Sequence, residues 1–158
     1  MTDSSGMAVQ DHYPEAFAQC YGCGRLNEDG LRIRSHFDGE VSVCRFTPRP
    51  EHRAMKGIVY GGLVASLIDC HATGTAAAAA TVAVGDEVTE DTIRRFVTAR
   101  LQVDFLAPTP LGVELELRAV TSEVKGRKVV VEVELTAKGQ TTARGHVVCV
   151  EAPESLFS

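Results

Sequence analysis

Gly57-Ile58-Val59-Tyr60-Gly61-Gly62-Leu63-Val64-Ala65-Ser66-Leu67-Ile68-Asp69-Cys70-His71 opens a stretch, running on to Gly85, whose single formal charge is Asp69. It is far longer than a strand and contains the run Ala76 to Ala80, so it predicts a helix. The helix is expected to start near Tyr60-Gly61-Gly62 and to reach at least Ala80, with Val82 to Gly85 closing it. Length alone would also suit a membrane span. Alanine, glycine and threonine take the place of bulky apolar residues, however, so the expectation is a helix buried in a soluble protein.

Projected at about 100° per residue, the helix places Leu63, Val64, Leu67 and His71 on one side, which should lie on a sheet. Gly62, Ala65, Ser66, Ala72, Thr73 and Ala76 gather round Asp69 on the other. Small side chains there admit a second helix or a narrow ligand. A lone carboxylate on such a face either makes a buried hydrogen bond, faces solvent, or serves as a general base or nucleophile in a cleft. His71 projects opposite Asp69, so it reads as a sheet-facing histidine and not as a catalytic partner. Gly61-Gly62 at the helix start presents free amides suited to an oxyanion, although a plain capping turn fits the same pair. Gly61 and Asp69 are eight positions apart, about 12 Å at ~1.5 Å per residue. One reacting carbon cannot lie within roughly 3 Å of both on one helix. If both act on it, they come from two copies, with antiparallel helices meeting in a twofold dimer.

Outward from the helix the period changes to two. Upstream, Leu31, Ile33, Ser35 and Phe37 alternate with Arg32, Arg34 and His36 as one strand. Asp38-Gly39 is a turn, and Val41 to Phe46 a second strand. Arg49 to Lys56 reads as a loop. Downstream, an acidic loop from Asp86 to Asp91 precedes four strands: Ala99 to Phe105, Val113 to Ala119, Val129 to Ala137, and Thr142 to Val150. Short turns join them. Two strands, one long helix and four strands predict an α+β fold in which an antiparallel six-stranded sheet wraps around one central helix, the hotdog architecture. The expected organisation is an irregular segment over 1–30 with a short helix near Pro14 to Gln19, the main domain over 31–151, and a tail over 152–158.

The 158 residues carry a net charge of −5 and no basic stripe, which gives nucleic-acid binding little electrostatic footing, although a local basic patch can still hold an anionic ligand. The opening residues lack a signal pattern, and five cysteines without regular spacing suit reduced thiols in a cytoplasm. Cys20-x-x-Cys23 lacks an evident second ligand pair, so ordinary thiols and no metal are expected. Cys70 reads as packing on the helix flank. Lys125, Arg127 and Lys128 form a basic turn.

Glu51-His52, the stretch Gly57 to Asp69, and Thr98-Ala-Arg-Leu-Gln-Val-Asp-Phe-Leu-Ala-Pro108 resemble the PaaI-like hotdog thioesterases. Cys20-Tyr-Gly-Cys-Gly and Asn27 to Leu31 are similar to the N-terminal segment of their THEM4-like branch. The resemblance implies hydrolysis of an acyl-CoA thioester without metal or other cofactor. It implies that Asp69 activates water or attacks the thioester, that the Gly61 amide polarises the carbonyl, and that Thr98 places the water or holds the carboxylate. Tyr60, Gly62, Ser66, Arg127 and Lys128 are the expected substrate-binding positions, the two cations either reaching the coenzyme A phosphates or forming a solvated hairpin tip. A homodimer, paired further into a dimer of dimers, is the expected assembly. Two positions depart from the family pattern. Tyr60 stands where a histidine is usual, and Ala54 where one branch has a catalytic asparagine. Two other functions compete: a non-catalytic acyl-CoA-binding module, and a 3-hydroxyacyl-thioester dehydratase, which needs a histidine beside the carboxylate.

Overall fold

The polar–apolar alternation becomes strands wherever glycine or proline turns separate two such runs. The computed structural model describes residues 6–157, so the first five residues of the expected N-terminal segment and the last of the expected tail lie outside it. In chain order the elements are β1 (His36–Phe37), β2 (Val41–Phe46), β3 (Arg53–Met55), β4 (Ile58–Val59), α1 (Gly61–Ala83), β5 (Phe96–Phe105), β6 (Leu115–Lys125), β7 (Lys128–Ala137) and β8 (Gln140–Glu151). Six strands form one sheet in the order β1-β2-β6-β7-β8-β5, every pair antiparallel. β3 and β4 make a separate small hairpin. This is the expected α+β hotdog arrangement.

Burial explains how sheet and helix meet. Leu115, Leu117, Val129, Val131, Leu135, Ala143, Val147 and Cys149 alternate along their strands and are buried, facing α1. From the helix, Leu63, Val64, Leu67 and His71 are buried as the projection requires. Removing each leucine-sized side chain from water is worth roughly 1.5–3 kcal/mol. Ala76, Ala77, Ala78 and Ala80 are also buried. A helix enclosed on nearly all sides needs small residues, which accounts for the alanine run. α1 is long and apolar enough to cross a membrane, but 78% of its most apolar window is buried in the fold.

Several expectations need correction. Leu31, Ile33 and Ser35 are buried in alternation as predicted, yet the sheet strand is only His36–Phe37. The Leu31 and Ile33 amides donate instead to the Tyr21 and Gly22 carbonyls, and Val9 N donates to Ser35 O. Arg32, at φ 54, breaks the extended ladder. The N-terminal arm therefore competes with the sheet for this segment. The expected helix near Pro14 is a single 3-10 turn at Glu15–Phe17, and another lies at Val9–His12. The Arg49 to Lys56 loop contains β3. Ala72 and Ala76, assigned to the open face around Asp69, are fully buried, so only the first half of that face stays open.

Candidate active site

Helix α1 holds Asp69 half-buried on the side away from His71. Thr98 lies on β5, opposite Cys149 of β8, just before a bulge between Thr98 and Arg100. The Thr98 hydroxyl donates a hydrogen bond to Asp69 Oδ1. Beneath them, burial and then the Asp69 charge push the Cys149 thiol up to about 12. The sequence reading did not single out Cys149, and only the β5–β8 pairing reveals its place.

His71 points the other way, as expected. Its Nε2 lies 3.1 Å from the Ser42 carbonyl and its Nδ1 2.8 Å from Ser35 Oγ. A carbonyl only accepts, so Nε2 carries the proton and Nδ1 accepts from the serine. Gln10 completes the chain, donating from Nε2 to Ser35 Oγ at 3.1 Å and accepting from Ser35 N at 2.8 Å. Burial pushes His71 down to about 4, against an upward pull from the Ser42 carbonyl. A neutral, fully engaged imidazole on the sheet side has no part in proton transfer at Asp69.

The helix start is a separate place. No side chain caps it; Leu63 N donates to the Tyr60 carbonyl at 3.1 Å, and the Gly61 and Gly62 amides before it precede the helical ladder. Gly61 lines an apolar cavity of about 460 Å³, shared with Ala54, Met55, Val64 and Phe105. A Cβ on Gly61 would meet the Phe105 ring at an ordinary 3.5 Å, whereas one on Gly62 would lie 2.6 Å from Tyr60 Cε2. The Tyr60 ring folds against the first turn, so a side chain at Gly62 would displace this partly exposed ring. Phe105, 57% exposed, was missed as a wall of this cavity because its strand reading gave it no place near Gly61.

The other expected binding positions are already engaged. Ser66 Oγ donates to the Gly62 carbonyl at 2.8 Å. Arg127, in the β6–β7 turn, donates to the Glu151 carbonyl at 2.8 Å, and Lys128 pairs with Glu123 at 3.0 Å. One chain therefore unites Asp69 with Thr98, and Tyr60 with Gly61 and Gly62, but leaves these two groups apart along α1. A further depression of about 480 Å³, lined by Arg118, Glu132, Glu134 and Arg144, contains none of the expected site residues.

A single long helix in a curled antiparallel sheet defines the hotdog fold. Residues 56–144 match the model of the Thioesterase superfamily, and the chain belongs to that family. A solved thioesterase superfamily protein from Shewanella loihica PV-4 is 45% identical, covering 89% of this chain and 100% of that one, with a TM-score of 0.65. The PaaI protein of E. coli shares the fold at 18% identity, with 78% and 81% of the two chains covered and a TM-score of 0.64. Among curated proteins, acyl-coenzyme A thioesterase THEM4 of Xenopus laevis is 32% identical over 87 residues, 55% of this chain. The match spans 33% of that relative's length.

Proposed function

We propose that this chain hydrolyses an acyl-CoA thioester to the free acid and coenzyme A, with Asp69 as the carboxylate that drives the step. The observation that carries this reading is the Thr98–Asp69 hydrogen bond on the open half of α1. It holds Oδ1 and leaves Oδ2 for the attacking water, or for the thioester carbon itself. The Gly61 amide supplies the positive end of a helix to the carbonyl oxygen. Eight positions of helix, about 12 Å, separate the two groups, so Gly61 comes from a second copy. β5 supports this assembly: it is a ten-residue edge strand, paired on one side only, with Leu101 and Phe105 38% and 57% exposed. Long apolar edges of this kind are pairing surfaces. Each dimer then holds two sites, and two dimers pair further. Arg127 and Lys128 are assigned to the coenzyme A phosphates, since their present surface contacts are weak enough to exchange. Five free cysteines favour a reducing compartment, the cytoplasm.

The test is thiol release over a panel of acyl-CoAs by the wild type, Asp69→Asn and Asp69→Ala. Loss of roughly 10²–10⁴-fold in kcat with substrate binding retained is expected for removal of a general base. Release that survives both substitutions would remove Asp69 from the reaction. Single turnover in ¹⁸O-water bears on the two roles: label entering Asp69 means direct attack through an anhydride opened at the aspartyl carbon, whereas label confined to the product acid fits an activated water or an anhydride opened at the acyl carbon, which trapping the anhydride with hydroxylamine distinguishes.

A further inference from the structure

Outside the site at Asp69, three thiols converge that the chain supplies from two distant segments. Cys20 and Cys23 lie in a turn of the N-terminal arm, Cys70 on α1, and their sulfur atoms all lie within 4.8 Å of one another. Cys20 Sγ and Cys70 Sγ are 3.9 Å apart. Sulfurs at the corners of a tetrahedron with metal–sulfur bonds of ~2.3 Å are about 3.8 Å apart.

We propose that Cys20, Cys23 and Cys70 form a tris-thiolate site for a zinc-type divalent cation, which pins the N-terminal arm to the middle of α1. The turn is built for this approach. A Cβ on Gly22 would lie 2.3 Å from Cys70 Sγ, and one on Gly24 would lie 2.5 to 2.6 Å from backbone atoms of Ala18 and Cys20. Only glycine lets the turn close this tightly against the helix. The Gly24 amide donates to the Cys20 carbonyl at 2.7 Å, which closes the turn.

The surrounding charge also fits. A divalent ion with three thiolates leaves one negative charge. Arg95, its guanidinium carbon 4.9 Å from the centre of the Tyr13 ring, is the cation electrostatically coupled to Cys20 and Cys23. Its Nη1 is buried with no hydrogen-bond partner among the described residues. The cluster fills three of four tetrahedral positions, and the half-buried Cys20 leaves the fourth to a water. The role is structural. Cys70 follows Asp69 directly in α1, but the reaction at Asp69 requires nothing of the metal.

The test uses the full chain purified without chelator, with metal content read by elemental analysis. About one zinc per chain is expected, with a Tm that falls on chelation and returns on adding Zn²⁺. Cobalt(II) should give a thiolate charge-transfer band and the intense d–d bands of a tetrahedral ion. Cys20→Ser, Cys23→Ser and Cys70→Ser should each weaken binding by roughly tenfold or more, while Cys44→Ala, outside the cluster, keeps the metal. If Cys70→Ser does not fold, the half-buried Cys20→Ser carries the same comparison. Failure of the wild type to take up Zn²⁺ or Co²⁺ at equimolar concentration would overturn the proposal. So would a disulfide among the three found by peptide mapping. Metal is read directly, so either result is independent of thioester hydrolysis.

Discussion

Thr98 is where the site is most sensitive to a single atom. Its hydroxyl is the donor to Asp69 Oδ1, and a threonine on a strand has valine as its nearest apolar isostere. Thr98→Val should keep the fold and lower kcat by roughly 10- to 100-fold, the worth of a hydrogen bond to a charged group at about 1.5–3 kcal/mol. Thr98→Ser should recover most of it. Steady-state kinetics on one acyl-CoA decide the matter, and a Thr98→Val enzyme with unchanged kcat would show that the contact is idle in turnover. Tyr60 poses the opposite question. Its ring packs against Gly62, so its place in the structure follows from shape, and no proton-transfer role needs to be assigned to it.

The contact between α1 and the sheet depends on one residue without a side chain. Gly145 of β8 lies under Ile68, and a Cβ there would sit 2.3 Å from Ile68 Cγ2. Ile68 is fully buried and adjacent to Asp69, so it has no room to yield. Gly145→Ala should cost about 1–3 kcal/mol through overpacking, a fall of roughly 3–10 °C in Tm for a chain of this size. Calorimetry measures it, and an unchanged Tm would mean that helix and sheet do not press together there. The same closeness sets Asp69 at the height of Thr98, so activity should fall alongside stability.

Two properties belong to the entire molecule. The first is acid stability. His71 titrates near 4 in the fold against 6.5 for a free imidazole. Between those values the unfolded chain binds a proton that the native chain refuses, so stability is fully present above about 6.5 and is lost as pH falls toward 4. The loss amounts to about 3 kcal/mol across this window, each pH unit of it contributing about 1.36 kcal/mol. Urea unfolding at pH 7 and pH 5 should show this loss in the wild type and a flatter dependence in His71→Gln, even though the variant starts less stable. An identical slope in both would mean that His71 is not the acid-sensitive group. The second is assembly. Leu101→Lys places a charge on the exposed edge of β5. It should shift sedimentation toward the monomer and make specific activity fall on dilution. A monomer with full activity would end the proposal of a site shared between copies.

The long helix with its single charge, the five later strands of the sheet and the sheet side of α1 follow from the local pattern alone, because periods of 3.6 and 2 select the element and its buried face. Asp69 was visible for the same reason: one charge in a stretch with no other. The early strand at Leu31 kept its buried alternation but lost its partner, since the N-terminal arm offers carbonyls that a periodic pattern cannot reveal. Tertiary structure alone set the Thr98–Asp69 contact, the Ile68–Gly145 approach and the meeting of Cys20 with Cys70. Each joins residues tens of positions apart, fifty in the thiol pair. Local propensity acts over a few residues. Contacts at such distances exist only once the sheet has curled round the helix and brought the two stretches of chain to the same point in space.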